Sequence, residues 1–366
     1  SKATTDKKVA EYLVAYVDKI SGVKLEIMDA AKSGRPDAKD PAIVIGTLAL
    51  EMGLPTPPKT ISWDGYRLQT KGNHLLLAGE SGPAAEFAVT HFLERFGYRW
   101  LTWGKLGEAI PLVKTMSLDG FDVSETPDFL FRCVWGADFA ATRGGGIDLP
   151  NQHNWPYVTE AKHFKDHPEY FALRGTNRVV GGMGGNWVCT ANPAVARIFA
   201  DGYIAMAKEG KRAGSISPPD GRSFCQCDKC TALDVPGYIE PSNGALCMSD
   251  RYVTFFDAVA KLVKKDAPDF ILSFYAYSDY TRPPKNIARV SDNLCAWITT
   301  IRFCRLHSFG NPNCEASARY KQVVEGWSAM GIRTACYDYN YNLSEVTVPI
   351  SKITYFRERI PFLKKT

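Results

Sequence analysis

A chain of 366 residues that is 45% hydrophobic, 23% charged and 12% aromatic has room for one large or two medium globular domains, and this composition excludes disorder, collagen and coiled coil. Its longest apolar stretches, such as residues 43–50, fall far short of the roughly 20 residues a membrane-spanning helix needs. The 44 Lys and Arg against 39 Asp and Glu leave a net charge of +5, spread along the chain rather than gathered into basic blocks. That argues against a nucleic-acid partner and for a small or neutral ligand. The chain opens on Ser1 without a charged-then-apolar leader, the form of a trimmed chain or of a mature one whose signal has been removed.

Val9, Tyr12, Leu13, Tyr16, Val17 and Ile20 recur at helical spacing ahead of Gly22, which predicts an amphipathic helix over 6–21. Short apolar or alternating runs bounded by Gly, Pro, Asp and Asn predict strands at 23–28, 42–45, 65–69 and 74–78. Pro83 and Gly97 then bracket Ala85, Val89, Phe92, Leu93 and Phe96, the Pro-first, Gly-last signature of a core-facing helix. These elements predict a small α/β domain over 1–122, with a linker at 117–127.

From residue 129 the pattern changes. Strands are predicted at 129–135, 146–151, 214–217, 270–277, 293–298 and 332–339, most of them separated by helical stretches. The clearest helix is 249–265, where Tyr252, Phe255, Phe256, Val259, Leu262 and Val263 share one face. Strand, helix, strand in repeated order predicts parallel βαβ units, and a (β/α)8 TIM-type barrel over 128–366 is the commonest way to close them. Only about six of the eight strands of such a barrel are found. A helix starting at 353–360 is interrupted by Pro361, so the barrel is expected to be C-terminally truncated.

Four predicted strands end in an aspartate, Asp138, Asp220, Asp279 and Asp338, at the edge where parallel barrels carry their catalytic groups. Aspartate is also a common turn residue, because its side chain caps backbone amides. Asp220 and Asp338 are the best catalytic candidates. Tyr337, Tyr339, Asn340 and Tyr341 beside Asp338 offer stacking faces and hydrogen-bond partners for a sugar. Glycoside hydrolysis needs two carboxyl roles, a proton donor and a nucleophile, base or acetamide-orienting group, and rim aspartates can supply them. His153, with Asn154 and Trp155, reads either as a hydrogen-bonding group beside a stacking platform or as a loop histidine packed on its neighbouring tryptophan. His307 and Asp279 are further rim candidates for substrate binding.

Cys225, Cys227 and Cys230 crowd into one CxCxxC hexapeptide. With Cys247 or Asp228 as fourth ligand they could bind a structural zinc ion; a disulfide among these cysteines is the equal alternative. No HExxH, GxSxG, GxGxxG or Walker motif is present, and Gly144–Gly146 and Gly181–Gly185 read as flexible loops. Catalysis is expected to need no cofactor.

Taken together, these residues resemble a known family. IVIGTLAL, DGYRLQT, HLLLAGES and AVTHFLERFGYRWL in the first domain look like the small domain that precedes the barrel in family 20 hexosaminidases and α-glucuronidases. HPEYFAL, CTANP, SISPPDGRSFCQCDKC, AYSDYTRPP and ACYDYNY resemble the bacterial domain-of-unknown-function family 4838, which includes glycoside hydrolase family 163, endo-β-N-acetylglucosaminidases acting on complex N-glycans. The resemblance implies a retaining, acetamide-assisted glycosidase of glycans containing N-acetylglucosamine, secreted, periplasmic or at the cell surface. It places Asp220 in the family's SPPDG motif and His153 where relatives carry a histidine, with Gln152 replacing the usual glycine before it. An α-glucuronidase-like exo-glycosidase, with Arg143 or Arg302 as partner for a uronate, and a non-catalytic carbohydrate-binding protein are the alternatives.

Overall fold

The computed structural model describes residues 2–101, 104–133, 144–153, 155, 161–339 and 351–366. Asp138, Arg143, Asn154, Asn340 and Tyr341 lie outside them. The chain is mixed α/β and divides into two compact units, 1–148 and 149–366. Among the described residues no helix is long and apolar enough to cross a membrane.

In the first unit, strands β1 (Ala42–Ile45), β2 (Tyr66–Lys71), β3 (His74–Gly79) and β4 (Asp122–Glu125) form one sheet in the order β1-β3-β2-β4. Strand β1 runs parallel to β3, while β2 is antiparallel to both its neighbours. Helices α1 (Lys2–Ser21) and α2 (Gly82–Arg95) bury Val9, Leu13, Val17, Ile20, Val89 and Phe92 with Leu68, Leu75 and Leu77 of the sheet. The turn before α2 holds its own chain: Glu80 accepts from the amides of Thr60 and Gly65 at 2.8 and 2.9 Å, and Ser81 caps the helix. Residues 23–28 form no strand, and Val23, Leu25, Ile27 and Met28 are exposed. Period-two alternation yields a strand only where a sheet edge takes it up.

Phe131–Arg132 pairs antiparallel with Gly145–Gly146 in the first unit, so the first predicted barrel strand belongs to a hairpin. The second unit carries a sheet of four parallel strands in chain order, β5 (Ala213–Ser215), β6 (Ile271–Ala276), β7 (Leu294–Thr299) and β8 (Arg333–Tyr337). The closed barrel expected from the sequence is not what the described residues form, because β5 and β8 are the sheet's two edges. Helices α3 (Pro193–Lys208) and α4 (Ser249–Asp266) build a core around Phe199, Tyr203, Tyr252, Phe255 and Phe256. The β6–β7 crossover is irregular and is pinned to α4. Asp250 accepts from the amides of Lys285 and Asn286, each at 2.8 Å, and Asp257 accepts from that of Ser291 at 2.8 Å. Helix α5 (Glu315–Ala329) joins β7 to β8, and α6 (Ile353–Lys365) follows β8. Contrary to expectation, α6 runs through Pro361; a proline near a helix end removes one ladder bond, and Tyr355 and Arg359, buried on that helix, hold it in place.

Candidate functional site

Three hydroxyl groups on β5 and β6 deliver His153 to the C-terminal end of the sheet. Ser273 and Tyr275 donate to the carbonyls of Pro150 and Asn151, and Ser215 Oγ donates to that of Gln152 at 2.7 Å. Three consecutive carbonyls are thus fixed, and the imidazole follows. His153 Nδ1 lies 2.9 Å from the Pro218 carbonyl, which can only accept, so Nδ1 carries a proton and Nε2 faces Asp220 Oδ1 at 3.9 Å. The Asp220 side chain is 65% exposed. Tyr275 and Tyr277 flank the imidazole, with ring centroids at 4.7 and 5.3 Å, and Tyr337 and Tyr339 continue the aromatic wall. Burial pushes the phenols of Tyr275, Tyr277 and Tyr339 up, and the negative charge of Asp220 adds to the rise in each.

Asp279 is buried, at 2% exposure, and serves as a clamp. Its Oδ1 accepts from Arg222 at 2.8 Å and from Asn243 at 2.7 Å, and its carbonyl accepts from Met248 N at 2.7 Å. Arg222 belongs to the loop that carries Asp220, so this ion pair ties the ends of β5 and β6 together. Between Tyr277 and Asp279, Ser278 has φ +52°, a left-handed conformation that costs about 1–2 kcal/mol. The Asp279 contacts and the Thr281 hydroxyl, which donates to Ser278 O at 3.0 Å, offset that strain and aim Tyr277 at the rim.

Three other expectations fare differently. Asp338 is ion-paired: Oδ2 lies 2.7 Å from Arg359 Nη1, and Oδ1 accepts from Thr300 at 2.9 Å. Both oxygens are occupied, and the side chain is nearly buried. Trp155 is a core residue; its indole donates to Ile216 O at 2.9 Å, and Trp187, Phe199, Tyr252 and Phe255 surround it, so no face is left for a sugar. His307 is exposed, and its Nδ1 lies 3.2 Å from Cys304 Sγ. Tyr339 stays on the rim, its amide donating to Thr300 Oγ1 at 3.1 Å.

Of the glycines at 181–185, Gly181 has open space around it, whereas Gly182, Gly184 and Gly185 are packed against neighbours. Gly184, at φ +76°, sits against Asp220, whose carbonyl would lie 2.1 Å from an added Cβ, and Met183 N donates to Ser223 Oγ at 3.2 Å. Beside this contact Cys189 joins Cys225, Cys227 and Cys230, the four sulfurs lying within 4.8 Å of one another. The expected fourth member, Cys247, is elsewhere, donating to Glu240 and Ser249. Cys189 stands in the CTANP motif, 36 residues before Cys225, and only folding brings it near.

A cleft of about 450 Å³ opens elsewhere in the second unit, lined by Phe309, Lys321, Glu358 and Phe362 among others, and Asp220 does not border it.

A comparison with curated proteins gives no match. Among solved structures, a family 89 glycoside hydrolase from Clostridium perfringens bound to 2-acetamido-1,2-dideoxynojirmycin is similar at 9% identity and a TM-score of 0.42, over 100% of this chain and 51% of that one. A family 20 exo-β-N-acetylglucosaminidase from Vibrio harveyi is similar at 11% identity and a TM-score of 0.38, over 91% of this chain and 55% of that one. A Streptomyces plicatus β-hexosaminidase mutant in complex with GlcNAc is similar at 12% identity and a TM-score of 0.33, over 92% and 68%. The chain thus spans about half the length of the first two, and scores this low carry no functional argument. The family described as domain of unknown function DUF4838 matches residues 102–366, well over half of the sequence, and the chain belongs to that family.

Proposed function

We propose that the chain carries a glycoside hydrolase site for glycans containing N-acetylglucosamine, retaining and acetamide-assisted, with Asp220 as one of its two carboxyl groups. The observation behind this reading is the pairing of an exposed carboxylate with the Nε2 of a fixed imidazole, inside a wall of tyrosines at the C-terminal end of a parallel sheet. His153 can hold or pass a proton at Nε2 while Pro218 keeps its ring oriented, and Tyr277 and Tyr339 offer faces and hydroxyls to a sugar. The sugar class comes from sequence resemblance to family 163 endo-β-N-acetylglucosaminidases.

The experiment is to assay the chain and its Asp220→Asn and His153→Ala variants for release of N-glycans from a glycoprotein and for hydrolysis of an aryl N-acetylglucosaminide. Losses of about 10²–10⁴ in rate are expected for the removal of an acid–base group; wild-type rates in both variants would sink the reading. A second reading is favoured by one observation: of the three rim aspartates described, Asp279 and Asp338 are ion-paired and only Asp220 is exposed. A carbohydrate-binding protein without turnover needs no second carboxyl. Binding on a glycan array without hydrolysis by the unaltered chain would select it.

A further inference from the structure

Cys189 Sγ lies 3.6 Å from Cys227 Sγ and 3.7 Å from Cys230 Sγ, and with Cys225 the four ligand atoms lie within 4.8 Å of one another. A tetrahedral zinc ion with Zn–S bonds of about 2.3 Å has sulfur–sulfur edges of about 3.8 Å. A disulfide would need a separation of about 2.05 Å, and all four cysteines are free. We propose that Cys189, Cys225, Cys227 and Cys230 bind one zinc ion, and that this ion clips the loop bearing Asp220 to the loop of residues 181–190. The proposal is independent of the glycosidase reading.

Hydrogen-bond donors stand around two of the sulfurs. Leu173 N–H and Arg178 Nη1 donate to Cys225 Sγ at 3.3 and 3.5 Å, and the Thr190 hydroxyl lies 3.5 Å from Cys230 Sγ. Four thiolates and Zn²⁺ sum to a charge of −2, and the Arg178 guanidinium stands beside them. Each thiol gives its proton to solvent as it binds, so the step needs no oxidant or reductant. Cys189, Cys225 and Cys230 are buried, while Cys227 is partly exposed and leaves the ion a way in.

Zinc prevails over the other tetrathiolate occupant, iron, because one sulfur comes from a distant loop and three from a single turn, whereas the paired CxxC knuckles of a mononuclear iron site are absent from the sequence. The clip has a mechanical target. Gln226 N donates to Leu173 O at 2.8 Å, Gly175 N donates to Gln226 Oε1 at 2.7 Å, and Gly184 presses on Asp220, so the cluster fastens the base of two loops whose tips meet at Asp220.

The test is elemental analysis of the purified chain, together with hydrogen–deuterium exchange. About one zinc ion per chain is expected for a closed site, with Cys247→Ser retaining it and Cys189→Ser losing most of it. Should Cys189→Ser fail to fold, mercurial titration of the unaltered chain with a chromophoric zinc indicator and peptide mass mapping answers the same question: zinc release that tracks modification of Cys189, Cys225, Cys227 and Cys230, and not of the other free cysteines, supports the site. Chelation should speed exchange at 181–190 and 218–230 by about tenfold or more, a change no activity assay is needed to read. Iron in place of zinc, disulfides among these four cysteines, or all four present as free thiols without metal would overturn the site. Unchanged exchange in the Asp220 loop after zinc removal would overturn the clip.

Discussion

Arg359 Nη1 lies 2.7 Å from Asp338 Oδ2 with the arginine almost wholly buried, and the same guanidinium donates to Tyr355 OH at 2.7 Å and to Cys336 Sγ at 2.9 Å. Helix α6 is thereby bolted to the end of β8. Removing one partner of a buried ion pair strands the other charge and costs about 3–5 kcal/mol. Asp338→Asn should accordingly lower the urea-unfolding free energy by that amount, while Asp220→Asn, at an exposed side chain, should change it by no more than about 0.5 kcal/mol. Equal stability losses in the two variants would contradict this division of roles.

Gly184 is needed twice over, for its left-handed backbone and for the absence of a Cβ that would meet the Asp220 carbonyl. Gly175 has φ +61° but open space around it, so it isolates the first contribution. Gly175→Ala should cost about 1–2 kcal/mol, and Gly184→Ala about 1–3 kcal/mol more from overpacking. Thermal unfolding of the two variants measures the difference.

Glu240 is buried, and burial raises its carboxyl, although the amide of Arg282 donates to it at 2.8 Å and Cys247 at 3.3 Å. The folded chain therefore keeps this proton to a higher pH than the unfolded chain, which releases it near about 4.3. Folding takes up a proton in that window. The contribution is fully present below the unfolded value and is lost as pH rises through the folded one. Glu240→Gln keeps an acceptor and cannot ionise, so its unfolding free energy should fall less steeply from about pH 4 upward than that of the unaltered chain. Parallel curves would reject the assignment.

Cys304 differs from the other scattered thiols. Burial raises it, but hydrogen bonds from the His307 and Leu306 amides and from the His307 ring outweigh burial and bring it down to about 7. Burial pushes Cys247 and Cys295 up to about 12. Iodoacetamide should label the Cys304 thiolate with a half-maximal rate near pH 7, leaving Cys247 and Cys295 unmodified in the folded chain, as peptide mass mapping would read. His307→Ala should move that midpoint toward about 8.5.

Much of the secondary structure was legible because burial imposes its period on the residues. The helices of the first unit, the 249–265 helix and the strands near 214, 271, 294 and 333 all carry apolar spacing that a half-buried helix or a fully buried parallel strand requires. Misreadings came where that period lacked a partner, as at residues 23–28, or where a glycine pair made a hairpin of 131–132 and 145–146. Pro361 misled for the opposite reason, since its local penalty is small beside the burial of Arg359 and Tyr355.

The site divides along the same line. Sequence alone nominated Asp220, His153 and the CxCxxC cysteines, because a carboxylate after a strand and thiols at knuckle spacing are local patterns. It ranked Asp220 and Asp338 together above Asp279 and could not separate those two, since both follow predicted strands; what sets Asp220 apart from Asp279 and Asp338 is that an arginine 57 or 21 residues away closes on each of the other two carboxylates. Nor could it find Cys189, or see that Trp155 turns into the core while Tyr275 and Tyr277 face the imidazole. Composition and periodicity report how each segment meets water, so they determine elements and faces; ion pairs and cysteine clusters join segments distant in the chain, and only the packed fold decides which residues meet.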